Sequence, residues 1–544
     1  MIGALLKEMI SELNVEPDAV PETPPAKTTS LDIVIKEAQP DNIIKRFEIQ
    51  SNAGKEAFKA GLKRFSSNPQ TLKERSDRFA SFRALLAKDQ KLATQVSEFL
   101  VSWRNSEKTI ESILQPPTEE SAESISQIIF TSQWFSPLNS VPFLITILLF
   151  LKVYITPIMS FMLPFAMVVL PYFIMRFMFN TPITVDQYWE MFKKLVIGNV
   201  FSPSENIGGM IHKVFQVGGF LFSLGQTMIQ PYLTARHVAK IDSIYETEMT
   251  TLRSALDKWL TLTASLRRHG FHVNDRSLRH WVEGVGTGHR EMLAAIHDNK
   301  TLVKMWMRSI GDLEVLTAFA QAPVNQVCAV KTSAAGPFFS AEGAYDPQVA
   351  PEKRKLIDIT LGWQQEKKHT ILTGPNRGGK STALRAVLVN TLLAQTYGIG
   401  LASYLKIFPF SWIHSCLRLE DIPGSTSFFE REVEMAALSL RRGELSKPGL
   451  VLVDELFHST NPPDSHRAAV IYTSQIHENP LIISMISTHD FSLVEKLPST
   501  VRRLCVPAEE LSDGTVFYKH GLEEGICAVS SVQDILREKG LLRG

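Results

Sequence analysis

The chain is poor in cysteine and carries no excess of charge of either sign. Four cysteines (Cys328, Cys416, Cys505 and Cys527) occur in 544 residues, and no two form a CxxC pair. That excludes a disulfide-stapled scaffold and a four-thiolate zinc site, and it fits a reducing compartment. Lys and Arg total 57 against 56 Asp and Glu, so no chain-wide positive field marks a nucleic-acid wrapper. No repeat recurs at a period of roughly 20 to 50 residues, which excludes a repeat array. The start of the chain lacks the uninterrupted apolar stretch of a secretion signal. Lys7, Glu8 and Glu12 break it, and the pattern predicts an amphipathic helix over Met1–Asn14. With 21 % charged and 44 % hydrophobic residues the chain is not disordered, yet its mean hydropathy of zero is high for that charge content.

The excess apolar character is local. Between Glu123 and Arg176 the only charged residue is Lys152, and 153–175 is an uncharged run of 23. At about 1.5 Å per residue, the stretch 141–179 could cross a hydrocarbon core of roughly 30 Å nearly twice. A weaker uncharged run follows at 214–235. Soluble core helices show a polar stripe, which 153–175 lacks, so membrane insertion is favoured over a buried hairpin or a partner-binding surface. Residues 15–30, rich in proline, read as a linker. From 43 to 114 and again from 236 to 322 the pattern is helical, and beyond that strands alternate with helices.

Two constellations carry chemistry. ILTGPNRGGKST at 371–382 reads as a strand, a glycine turn and a helix start, with Gly374 and Gly379-Lys380-Ser381 at the spacing G-x-x-x-x-G-K-[ST]. Such a loop closes backbone N–H groups around phosphate at a helix N-terminus. Lys380 is placed to reach the β/γ-phosphates and Ser381 to coordinate Mg²⁺. The second constellation is LVLVDELFH at 450–458, an apolar strand delivering Asp454 and Glu455 at its tip. Asp454 is the expected Mg²⁺ holder, and Glu455 the group that orients the attacking water. A third strand, 481–487, ends in Thr488-His489-Asp490, where His489 could sense the γ-phosphate.

These residues resemble the ATPase domain of the MutS family of DNA mismatch-repair proteins. Thr373-Gly374-Pro375-Asn376-Arg377-Gly378-Gly379-Lys380-Ser381-Thr382 is similar to the family's TGPNxxGKST. Ser427 to Glu432 resembles its S-x-F-x-x-E segment. Asp454-Glu455 with Thr460, Asn461 and Asp464 resembles its DE…GTS…D stretch, and Ser487-Thr488-His489 its A-T-H. Ile310–Ala320 resembles the helix that joins the family's core to its ATPase. Ser51–Leu85, with Gly54, Pro69, Leu72 and Arg75, resembles the opening of that core. The resemblance implies an α/β P-loop NTPase domain of ABC/MutS type over 331–544, preceded by an all-α core and lever region. It implies an ATPase using ATP and Mg²⁺, with Glu455, His489 and Lys380 catalytic. Gly374, Pro375, Asn376, Gly378, Gly379, Lys380, Ser381 and Thr382 would hold nucleotide, and Ser381 and Asp454 the metal. Ser427 would face the ATP of a partner subunit, in a homodimer or a MutS-like heterodimer, with DNA as a further partner in repair or recombination.

The sequence departs from the family in three places. Phe457, His458 and Ser459 stand in the run where the family has glycines. Only about 40 residues precede the core-like part, so no mismatch-reading domain with its Phe-x-Glu wedge is expected. The apolar stretch sits where the family carries its lever helices and DNA clamp. The resulting division is 1–42 (helix and linker), 43–135 (helical, core-like), 136–235 (hydrophobic, transmembrane), 236–330 (helical lever/core) and 331–544 (ATPase). If the two core-like parts pack together, the chain between them crosses an even number of times. A transmembrane hairpin within 141–179 is the first expectation, and a span at 153–175 returning through 214–235 the second. Lys152 then needs an interface or a partner, because a cation at the bilayer centre costs roughly 2.5–3.5 kcal/mol. The expected location is a membrane, with the ATPase facing cytosol or nucleoplasm. The competing reading is a membrane-anchored ATP-driven switch that moves a protein or membrane partner without DNA. An ABC-type transporter ATPase is weaker, since Ser427-x-Phe429 stands where that class has a glycine-rich segment.

Overall fold

The computed structural model describes residues 29–116, 118–194, 207–271, 273, 276–333, 336–362, 367–417, 427–444, 446–511 and 515–541. The helix expected at Met1–Asn14 and most of the linker at 15–30 lie outside the described residues. The chain divides into two compact units. One comprises Met1–Ser97, Leu266–His272 and Met307–Gly544, the other Glu98–Ser265 and Val273–Trp306.

In the first unit a six-stranded sheet has the order Glu523–Glu524, Val501–Cys505, His369–Thr373, Ile482–Ser487, Gly449–Val453, Trp412–Cys416. All neighbours are parallel except the short Glu523–Glu524 edge. The strands HTILT, GLVLV and IISMIS are buried at every position. Runs without polar alternation suit a parallel sheet covered on both faces. The helix Lys380–Tyr397 is buried along nearly its whole length and ends at Gly398 in the left-handed region. There a Cβ would stand 2.4 Å from the Ser76 backbone nitrogen. A four-stranded sheet (Lys331–Thr332, Tyr404–Ile407, Phe339–Ala344, Ile357–Leu361) completes this part.

The segment resembling the core opening lies in the same unit as the ATPase-like sheets. Ser51 caps the helix Asn52–Leu62 by accepting from the Gly54 N–H. The buried Glu314 carboxylate, on the helix Lys300–Gln321, accepts from Ser51 Oγ and from the Gln50 N–H at 3.2 Å. Arg75 donates to the Gln395 carbonyl at 2.7 Å and to the Arg64 carbonyl at 2.9 Å.

Among the described residues of the second unit every element is a helix. Its core brings Trp103 against Trp306 at 5.2 Å and Phe99 against Trp259 at 5.2 Å. The apolar stretch forms one unbroken helical run, Pro142–Met178, with wider π-type turns at Leu151–Ile155 and Ile174–Met178. This corrects the hairpin expected within 141–179. Pro157, Pro164 and Pro171 recur every seventh residue; Pro157 follows the first π-type turn, and the helix runs on through Pro164 and Pro171 without a reversal. Thr156 Oγ1 supplies a donor to the Leu151 carbonyl at 2.9 Å. The chain reverses only after the run, and the helix Val185–Phe192 folds back so that Tyr188 Oη donates to the Val168 carbonyl at 2.5 Å. Among the described residues this run is the one helix long and apolar enough to cross a membrane, and its most apolar window has no buried residue.

Candidate functional site

Ligand sites of open parallel sheets lie beyond the carboxyl ends of the strands. Here those ends present the loop 374–379, then Thr488-His489, then Asp454-Glu455, because Ile482–Ser487 lies between His369–Thr373 and Gly449–Val453. The loop needs its glycines. Gly374 has φ +142°, and a Cβ there would stand 2.9 Å from the Val506 carbonyl oxygen. Gly379, at φ +115°, is the N-cap of the helix Lys380–Tyr397. Gly374, Pro375 and Gly378 are buried, Ser381 and Thr382 half-buried, and Asn376 exposed.

Lys380 is buried, and its Nζ donates to the carbonyls of Gly374 (2.9 Å) and Pro375 (3.2 Å) and to His489 Nε2 (3.1 Å). Burial lowers its pKa from the usual lysine value, while Asp454 and Glu455 pull it back up. The His489 pKa also lies below the ordinary histidine value, because burial disfavours the imidazolium and Lys380 repels it. The ring stands 3.9 Å from Glu455 Oε1. His489 Nε2 thus lies between the lysine, at hydrogen-bond distance, and the glutamate, 3.9 Å away. Ser487 orders the carboxylate pair: its Oγ donates to Asp454 Oδ1 at 2.5 Å and accepts the Glu455 N–H at 2.8 Å. Glu455 itself has φ +52°, a conformation that non-glycine residues adopt rarely.

Lys380, His489, Asp454 and Glu455, taken from three separate sequence stretches, therefore converge on one place. Ser427 serves locally as the N-cap of the helix Phe428–Gly443, in a capping box with Glu430. The run that departs from the family pattern is tied to the same helix. Phe457, at φ +52°, is buried against Phe429 and Tyr472, each ring 6.1 Å away. His458 pairs with the buried Glu432 at 3.0 Å, and Ser459 Oγ donates to the same carboxylate. Asn461 caps the helix Pro462–His477 by accepting from the Asp464 N–H.

Two cavities adjoin the site. One of about 170 Å³ is lined by Tyr345, Asp346, Arg377, Gly379, Thr382 and His520. Tyr345 there lies under Arg354, 4.0 Å from the ring centroid, and His520 Nδ1 donates to the Gly378 carbonyl at 3.0 Å. Asp346 holds Arg385 at 2.7 Å. Sequence reasoning missed Tyr345 and His520, since each sits in a loop with no motif around it. The second cavity, about 460 Å³, runs along Asp454, Glu455, Phe457, His458, Phe428 and His414.

A glycine loop at one strand end, joined by a lysine and a histidine to a carboxylate pair two strands away, defines an ATPase-like α/β domain. Residues 370–537 match the MutS domain V family model. Two DNA mismatch repair MutS proteins agree with this. That of Thermus thermophilus is 31 % identical over 190 residues, covering 35 % of this chain and 23 % of the relative. That of Natronomonas pharaonis is 25 % identical over 257 residues, covering 46 % and 29 %. Over this domain the chain is similar to the MutS proteins. Its match spans about a quarter of the length of these relatives.

Proposed function

We propose that the chain is a Mg²⁺-dependent ATPase of MutS type that dimerises and acts on DNA in mismatch repair or recombination. The observation that carries this reading is the convergence of Lys380, His489 and Glu455 on the glycine loop of a MutS domain V. The donors suit the expected ligands. Among the described residues no cluster of three or more His, Cys, Asp or Glu could hold a metal alone. Mg²⁺ needs none, since it takes one or two carboxylates together with phosphate oxygens. Ser381 and Asp454 are the oxygen donors for it, and when bound it neutralises charge on the phosphates. The loop 374–382 cradles the β/γ-phosphates of ATP, and Lys380 turns from the loop carbonyls to them. Glu455 orients a water against the γ-phosphorus and accepts its proton, while His489, once Lys380 has turned away, donates an N–H to a γ-phosphate oxygen. Water adds to phosphorus as the bond to the ADP oxygen breaks. The cavity beside Tyr345 and His520 takes the nucleoside. Ser427 completes the partner subunit's site.

A second reading is a membrane-anchored ATP-driven switch, with the ATPase facing cytosol or nucleoplasm. The exposure of the apolar run Pro142–Met178 favours it. The purified protein should hydrolyse ATP, and heteroduplex DNA should stimulate the rate. Stimulation by vesicles and not by DNA would replace the first reading with the second. No hydrolysis under any condition would remove both.

A further inference from the structure

We propose that the helical runs 153–178 and 207–234 are two legs of one hairpin that crosses a phospholipid bilayer twice, rooted around Arg290 in the second unit. This rests on the membrane reading of the apolar stretch and adds its topology.

Each leg changes character along its length. In the first, Ile145 and Leu149 are buried in the protein, whereas beyond Lys152 the large apolar side chains turn outward, with Phe161, Phe165 and Leu170 more than half exposed. Lys152 marks the boundary. Its Nζ donates to the carbonyls of Ser126 (3.4 Å) and Gln127 (3.0 Å) at the end of the helix Glu119–Ile128. The cation is thereby held at the protein body, where it escapes the cost of the bilayer centre. In the second leg the order is reversed. Within the helix Ile207–Arg268, Phe215, Phe222 and Ile229 are exposed, and burial begins at Ala235 and continues with Val238 and Ile241.

The helix His289–Asp298 holds both roots. Arg290 pairs with Asp242 through Nε at 2.8 Å and Nη2 at 2.7 Å, and His289 Nε2 meets the same carboxylate at 2.9 Å. Arg290 also lies within electrostatic reach of Tyr154, two residues beyond Lys152. Just before the first leg, Asn139 also donates to Asp298 at 3.1 Å. Both legs therefore start from one wedge.

Their lengths agree with a bilayer and with each other, the second leg being the less apolar, with Gln216, Gln226 and Gln230 in its run. The uncharged runs are 153–175, between Lys152 and Arg176, and 214–235, between Lys213 and Arg236. At about 1.5 Å per residue they extend about 35 Å and about 33 Å, close to a hydrocarbon core of roughly 30 Å. In sequence, each run is thus closed by one cation at the root end and one at the far end. Past Arg176 the helix Val185–Phe192 combines Tyr188, Trp189 and Phe192 with Asp186 and Glu190, and Glu190 pairs with Lys193 at 2.8 Å. This amphipathic aromatic helix folds back along the far half of the first leg, where Tyr188 Oη meets the Val168 carbonyl. A protein partner would be met through a polar rim or stripe, and 153–175 has none.

The test uses the full chain, inserted from detergent into preformed phosphatidylcholine–phosphatidylglycerol vesicles so that the bulky units stay outside. Val185→Cys, at an exposed position beyond the first leg, and Lys240→Cys, exposed at the root, are exposed to a membrane-impermeant maleimide. The unsubstituted protein supplies the background. The proposal expects Lys240→Cys to label in intact vesicles and Val185→Cys only after the vesicles are dissolved. Equal labelling of both in intact vesicles, with the protein still floating with lipid, overturns the two crossings and leaves a surface-bound protein. Failure of the full chain to float with vesicles overturns the membrane reading as well.

Discussion

Two apolar regions of this chain meet opposite environments. The strands Gly449–Val453 and Ile482–Ser487 are buried at every position, whereas the helix Thr156–Phe173 has no buried residue. Hydropathy alone does not separate them. The difference lies in the backbone. A strand must find its hydrogen bonds in neighbouring strands, so an apolar strand is enclosed in a sheet whose faces other elements cover. A helix satisfies its own backbone groups and can stand bare in a medium that offers no hydrogen bonds. The enclosed region builds a chemical site at its strand ends, and the bare one has its charged residues, Lys152 and Arg176, only at its limits.

The sharpest break of the enclosed region is Lys380→Ala. The lysine joins the loop carbonyls to His489, and the variant should lose nucleotide binding, measured by equilibrium titration with a fluorescent ATP analogue. Retained affinity would mean that the loop binds phosphate without it. Next is the sharing of sites between subunits. A mixture of Lys380→Ala and Ser427→Ala chains should regain hydrolysis that neither has alone, because one of its two sites is intact. Normal turnover by each variant at dilutions where no dimer forms would make Ser427 a helix cap and nothing more.

Acid should open the enclosed region and leave the bare one unaffected. His414 is fully enclosed in the sheet, and burial pushes its pKa down to about 3. The unfolded chain binds this proton near pH 6.5, so its contribution is intact above that pH. It is lost as pH falls toward 3, at about 1.4 kcal/mol per pH unit. Urea midpoints measured from pH 7 down to pH 4 should fall, and His414→Leu should make the fall shallower by one proton. An unchanged slope would locate the acid sensitivity in other groups, the buried His369 first among them. The smallest expected effect is local. A Cβ at Gly311 would stand 2.2 Å from the Ala53 carbonyl oxygen, so Gly311→Ala should cost about 1–3 kcal/mol by overpacking two helices. A wild-type midpoint in denaturant would show that the helices can separate freely.

The motif spacing made the loop, the carboxylate pair and His489 legible, because each ends an apolar strand in the sequence. Their meeting was not. It depends on Ile482–Ser487 inserting between two strands that precede it in the chain, an order that no motif in the sequence encodes. Tyr345 and His520 stayed hidden for a similar reason, since long-range folding brings their loops to Gly378 and Gly379. In the apolar stretch, length was readable and the turn was misplaced. Its signal lay just outside, in Asn180-Thr181-Pro182, where Asn180 takes φ +48° and the helical run ends. The role of Lys152 was unreadable, because its acceptors are carbonyls 25 and 26 residues earlier, at the end of another helix.

The central claim is that Glu455 activates water in a site that Lys380 holds together. Single-turnover hydrolysis of bound ATP by Glu455→Gln, beside its ATP affinity, tests it most directly. The account predicts unchanged affinity with hydrolysis slowed at least about 100-fold, within the range typical of a lost general base. Equal affinity and equal hydrolysis rate in Glu455→Gln and the unsubstituted chain would contradict it.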